Sequence, residues 1–366
     1  MTRALRACLA AVATLALLVG CAAPGASDPV TPSTGIADDR PLAELDLYPD
    51  PRTVEGPSTA VVADAEITPI ADDPVQTLPA TVVSHDPGGD REVRVTDTSR
   101  VLALDLAGSL AATVWGLGLG DSLVGRDMST TFPGTEDLPV VTSGAHAVNA
   151  ESVLALRPTL VLTDGTIGPR DVLEQLRASG VTVVFLANEP SFDGAAQLAR
   201  DVAAALGVGE LGERLADRIT AEVDDTIAQI AQIAPASDDA KLRVMFLYLR
   251  GGSGIYYLFG EESGASRLIT ALGARDLASE LGWSGEVPMT DEAMIAADPD
   301  LILVMTDGLA SAGGVDGLLA AKPAIGLTTA GEHRRFVDMA DGVVLSFGPR
   351  SAAVLDALAR SLYAAP

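Results

Sequence analysis

From about Pro79 onward, two hydrophobic patterns alternate along the chain. Short continuous apolar runs read as buried strands: SRVLALDL, TLVLTDG, VTVVFLA, RVMFLYL, DLILVMTDG and a last one at GVVLSFG. Between them lie helical segments of about ten residues, the signature of a parallel α/β sheet. ATVVSHD and REVRVTD, joined by Pro87-Gly88-Gly89-Asp90, predict an opening hairpin, and LVGRD and LPVVTSG two further short strands. A helix is expected from about Ala107 to Gly116 and another over Arg170–Ser179. From Phe192 to about Ile233 the pattern is helical almost throughout, with Gly207, Gly209 and Gly212 marking a break or turn in its first half. That length suits a connecting spine rather than a crossover.

The second half repeats the first. Asn149–Gly165 and Asp291–Gly308 share a capped helix start, an early Glu (Glu151, Glu292), an apolar helix, a Pro seven residues after the Glu, an apolar strand and a terminal Thr-Asp-Gly. The expected fold is α/β, with two similar lobes built on central, mostly parallel sheets and joined by a long helical spine. The boundaries are 79–191 for the first lobe, 192–235 for the spine and 236–366 for the second lobe. A closing helix is expected over PRSAAVLDALARSLY.

The N-terminus reads differently. Arg3 and Arg6 precede an apolar run from Ala7 to Val19 that is short for a bilayer span, followed by Leu18-Val19-Gly20-Cys21. This resembles the bacterial lipobox, in which cleavage precedes the Cys and its thiol is lipidated. Residues 1–21 are therefore read as a lipoprotein signal with Cys21 as the anchor, on the outer side of the cytoplasmic membrane. Residues 22–78 are rich in Pro, Asp, Ser and Thr without sustained periodicity and are expected to form a disordered tether, with a short ordered piece around Pro41–Tyr48.

Composition narrows the function. Among 366 residues, 50 Asp and Glu face 24 Lys and Arg, a net charge of −26, which argues against nucleic acid and against adsorption to anionic lipid. The only other Cys, Cys8, lies inside the signal, so thiol catalysis and Cys-based metal sites are excluded from the mature chain. No Ser-His-Asp, HExxH, P-loop or dinucleotide context is present, and no enzyme is expected.

The candidate chemistry sits at strand ends. Of three His, His85 lies beside the hairpin turn and His333 in a charged loop, whereas His146, in TSGAHAVN, follows a strand and precedes a helix cap. In open α/β sheets ligands bind at that edge. Tyr248 and Arg250 hold the analogous edge of the second half, two positions apart and so on one face of a strand. A cation beside a phenol favours its ionised form, a good ligand for ferric iron, and Tyr is an axial ligand of haem. Gly251-Gly252-Ser253-Gly254 lets a flat ligand approach the backbone. Tyr256 and Tyr257 offer a stacking face, though as strand residues only one can share the face of Tyr248.

Signal and lipobox, opening hairpin, SRVLALDLAGSLAATVWGLGLGDSLVGRD, VNAESVLALRPTLVLTDG, helical spine and second lobe together resemble the ABC-importer binding proteins for haem, siderophores and cobalamin, over about residues 79–366. TSGAHAVNAE with FLYLRGGSGIYYLFG resembles the haemin-binding lipoproteins of actinobacterial-type haem importers. The resemblance implies iron ligation by His146 from one lobe and Tyr248 from the other, with Arg250 hydrogen-bonded to the phenolate. It implies docking to an ABC permease through Glu151 and Glu292, one acid per lobe. The ligand implied is haem, with a ferric siderophore or cobalamin as the alternative.

Overall fold

The computed structural model describes residues 40–288 and 290–365. The signal segment, Cys21 and residues 22–39 lie outside the described residues.

Residues 40–78 are a strap laid on the body, which corrects the expectation of a disordered tether for this part of it. Leu42, Leu45 and Ala60 are buried in the core of the second lobe and Ile67 in that of the first. Ser58–Thr59 form a strand, β1, and strap amides of Tyr48, Ile70 and Thr77 donate to the carbonyls of Tyr363, Gly116 and Gly207 at 2.8–2.9 Å. Composition asks whether a segment can bury its own apolar surface. Here scattered apolar residues fill gaps in a surface that already exists, and the strap backbone finds its partners there.

In the first lobe β2 (Ala80–Ser84) and β3 (Arg91–Val95) make the expected antiparallel hairpin. Then come β4 (Val101–Leu104), α1 (Ser109–Gly116), β5 (Thr142–Ser143), β6 (Ala147–Val148), α2 (Ala150–Ala155), β7 (Leu160–Thr163), α3 (Arg170–Ala178) and β8 (Thr182–Phe185). Strands β4, β7 and β8 pair in parallel in that order, and every residue of β4 and β7 is buried, as in a sheet covered on both faces. At the end of β4 the Asp105 carboxylate accepts from the amides of Ser109 and Leu110 at 2.8 and 3.0 Å, fixing the turn into α1.

The spine is two helices, α4 (Phe192–Ala205) and α5 (Gly209–Ile233). The chain turns back at Gly207, whose φ of +72° suits glycine and whose missing side chain leaves room for the Thr77 carbonyl of the strap. Helix α4 belongs to the first lobe, with Leu198, Ala199 and Val202 in its core. Helix α5 bridges the two lobes. Its 25 residues run roughly 37 Å at the usual helical rise. Leu215, Ala216 and Ile219 pack into the first core, Val223 and Ile230 into the second.

The second lobe contains β9 (Arg243–Arg250), β10 (Ile255–Phe259), α6 (Ala265–Ala271), β11 (Arg275–Asp276), α7 (Leu277–Glu280), β12 (Glu286–Pro288), α8 (Asp291–Ala297), β13 (Leu301–Met305), α9 (Thr306–Ser311), α10 (Gly314–Ala321), α11 (Thr329–Glu332), β14 (Phe336–Met339), α12 (Asp341–Val344) and α13 (Ser351–Tyr363). Its sheet runs β1-β14-β13-β9-β10-β12, with β11 beside the start of β9. Only the pairings of β10 with β9 and β12 are antiparallel. The last strand is Phe336–Met339, not GVVLSFG. Asp341–Val344 is a helical turn with Val344 buried, and a short apolar run does not by itself separate the two conformations.

Candidate functional site

The parallel strands of both lobes end at one cleft. After β4, β7, β9, β13 and β14 the chain delivers Leu106, Asp164, Arg250, Thr306 and Asp341 to its walls. One cavity, about 340 Å³, is lined by Leu106, Asp164, Tyr248, Phe259 and Met305. The other, about 550 Å³, is lined by Met128, His146, Arg250, Thr306 and Arg350, with strap residues Thr59–Val62 closing one side. Asp341 borders both, so the two are parts of one cleft. Leu106 is 50% exposed and Met128 42%, so the first lobe presents apolar side chains to it.

Tyr248 and Arg250 stand as their spacing predicts. Arg250 Nε donates to Tyr248 Oη at 2.8 Å, and the guanidinium lies 5.2 Å from the Tyr248 ring centroid. On the other side Arg250 Nη1 is 3.8 Å from Asp341 Oδ2. The Tyr248 ring stacks on Phe259 at 5.4 Å and Phe259 on Phe246 at 5.3 Å, a column of rings from core to cleft. The phenol is thus held in position, and its oxygen, which accepts one hydrogen bond among the described residues, has a further lone pair for an electrophile. Tyr257 pairs directly opposite Tyr248 and shares its face. Tyr256 pairs with Leu249, packs into the core behind the sheet and carries the Lys322 ammonium 4.7 Å over its ring. Of the two stacking candidates, only Tyr257 is on the cleft face.

His146 ends a single 3₁₀ turn, Gly144–His146, between β5 and β6, with a left-handed φ of +56°. That conformation is uncommon outside glycine and is kept where the surroundings over-determine it. Here the Val148 and Asn149 amides donate to Gly168 and Val141 carbonyls at 2.6 and 2.9 Å. The Nδ1 of His146 is buried without a hydrogen-bond partner. Burial, and then the positive charge of Arg250, hold its pKa below the ordinary 6.5, so the ring is neutral with a lone pair to offer. Asp341 is pushed up, mainly by burial, with the hydrogen bond from the Asp307 amide and the charge of Arg250 opposing. His85 pairs with Asp90 at 2.9 Å in the exposed hairpin turn, away from the cleft.

Glu151 and Glu292 occupy matching exposed positions in the first turns of α2 and α8. Asn149 and Thr290 cap these helices through their side chains, and neither Glu has an ion-pair partner among the described residues. The sequence reading did not single out Phe259, Met305, Asp341 or Arg350. The alternation in IYYLF puts Phe259 on the face of Tyr257 and could have found it. Asp341 and Arg350 carry no such signal.

The chain matches the periplasmic binding protein family over residues 105–342. It is 39% identical to a solved heme binding protein HmuT, covering 86% of this chain and 99% of that one with a TM-score of 0.79. Structures of that protein with a single His, a single Tyr and a single Arg replaced by Ala also match, the Tyr and Arg two positions apart. It is 26% identical to an uncharacterized ABC transporter substrate-binding lipoprotein, YvrC, of Bacillus subtilis, over 77% of this chain and 85% of that protein. A cobalamin-binding protein of Halobacterium salinarum is 30% identical over 57% of this chain and 54% of its own length. Among the described residues no helix is long and apolar enough to cross a membrane. The chain belongs to the periplasmic binding protein family, as a substrate-binding protein of ABC importers within the cluster that serves haem, siderophores and cobalamin.

Proposed function

We propose that the protein captures haemin in the inter-lobe cleft and delivers it to an ABC permease, without chemistry on the ligand. Haem iron would be held from one side by the Tyr248 oxygen and from the other by His146. The observation that carries this reading is the pairing of two unfinished donors on opposite lobes. One is a phenol steadied by Arg250 at 2.8 Å, the other a neutral imidazole on the wall of the cleft. Phenolate and imidazole are both known axial ligands of haem iron. The His, Tyr and Arg replaced in the variants of the heme binding protein HmuT match these residue types, and its Tyr and Arg have the same spacing.

The test is a titration of the full chain with haemin, followed in the Soret region. Saturable, near-stoichiometric binding with a shifted band is expected; absence of both refutes the reading. Cobalamin is the second reading, favoured by the 30% identity to the cobalamin-binding protein. It would make His146 and Tyr248 pocket lining, and saturable binding of cobalamin with no haemin binding would establish it.

Cys21 would tether the protein by lipid to the outer face of the membrane. Glu151 and Glu292, exposed and unpaired on the two lobes, would dock on cationic side chains of the permease. Reversing both to Lys is expected to abolish uptake while leaving haemin affinity unchanged. Normal uptake by the double variant contradicts the docking role.

A further inference from the structure

Arg350 is a buried cation with no anion. It stands immediately before α13 and is 4% exposed. Its Nη2 reaches the Gly342 carbonyl only at 3.4 Å, its Nε has no partner, and its guanidinium lies 5.5 Å from the Phe132 ring centroid. Among the described residues no carboxylate forms an ion pair with it. Burial pushes its pKa down to about 10, so it stays charged at neutral pH. A desolvated charge without a counter-charge is costly unless neighbouring groups or a ligand complete its contacts.

Its surroundings favour a ligand over a structural partner. Arg335 is buried as deeply and also lacks a carboxylate, but its N–H groups contact Ser58 Oγ, the Gly56 carbonyl and the Ser361 carbonyl at 3.0, 3.4 and 2.6 Å, stitching the strap to α13. Arg335 lines neither cleft cavity, whereas Arg350 lines the 550 Å³ one together with His146 and Arg250. Two acids line that cavity, Asp307 and Asp341, and among the described residues neither forms an ion pair with Arg350; Asp307 is exposed. Asp341 faces Arg250 and accepts from the Asp307 amide at 2.9 Å. The start of α13, a helix of 13 residues, adds partial positive charge on the same side.

We propose that Arg350 anchors a carboxylate at the edge of the bound ligand, so that the cleft selects an acidic tetrapyrrole through its periphery as well as its metal. This rests on the haem reading above. Haem carries two propionate carboxylates, whereas the side chains around a corrin are amides and would leave Arg350 uncompensated.

The full chain is titrated with haemin and with haemin dimethyl ester, which keeps the iron and the ring but has no carboxylate. Wild type is expected to prefer haemin by about tenfold or more, the size of a hydrogen bond to a charged group. Arg350→Met should bring haemin down to the ester's affinity, leave ester binding unchanged and keep the ligand-dependent Soret position. Arg350→Lys should retain part of the preference. Equal affinity of wild type for haemin and ester overturns the proposal without any variant. So does an Arg350→Met protein that keeps the wild-type ratio, or one that loses both ligands equally, as a merely structural role would give. Failure of the haem reading looks different, since wild type would then bind neither compound.

Discussion

Tyr248 stands on an eight-residue strand in the middle of a seven-stranded sheet, whereas His146 stands at a left-handed turn between two strands of two residues each. The tyrosine is braced by the stacked rings of Phe259 and Phe246 and by Arg250. The histidine ring has no hydrogen bond at Nδ1. Its backbone is held by neighbouring amides rather than by its own side chain. The tyrosine half is therefore braced in advance, and under the haem reading the histidine half would be completed by the ligand. Helix α5 and the strap, each with side chains in both lobe cores, tie the halves together, so a small closure is expected rather than a wide hinge.

If the halves differ in this way, their substitutions should be unequal. Tyr248→Ala removes the braced ligand and is expected to cost about 100-fold or more in haemin affinity, above the usual effect of losing an outer partner, with a shifted Soret band. Equal or greater loss in His146→Ala would break the comparison. Arg250→Ala removes the hydrogen bond to the Tyr248 oxygen and should cost about 10- to 100-fold while tyrosine coordination persists. An affinity unchanged by this substitution would detach Arg250 from the site.

His146→Ala should be the mildest, a loss of about tenfold or less, and its mark should be in the pH profile. The folded protein holds the His146 pKa below 6.5, so the imidazole is free to ligate at neutral pH, and under the haem reading its ligation would be lost only as pH falls below that lowered value. The unfolded chain takes up this proton first, so the ligand-free protein also loses stability as pH drops below about 6.5. His146→Ala should remove both acid limbs. Arg250→Ala removes one of the two causes of the depression and should move the ligation midpoint upward, toward 6.5. A midpoint that stays in place would mean that burial alone sets it.

The lobes, the bridging α5 and the duplicated helix–strand units were legible because continuous apolar runs and capped helices are local patterns. So was the Tyr248–Arg250 pair, because side-chain direction in a strand has a period of two. The strap was not, since Leu42, Ala60 and Ile67 are ordered by surfaces formed by later parts of the chain and not by their own neighbours in sequence. The α12 turn was missed because Val343-Val344-Leu345 is as apolar as a strand. Arg350 left no trace in the local pattern, because what distinguishes it is the lack of an anion in three dimensions.

The account rests on a phenolate–iron bond at Tyr248, and resonance Raman spectroscopy of the ferric haem complex, excited in the phenolate-to-iron charge-transfer region, tests it most directly. Tyrosinate modes are expected in the wild-type complex and should be absent from Tyr248→Phe. The same tyrosinate modes in both proteins, or none in the wild type, would contradict it.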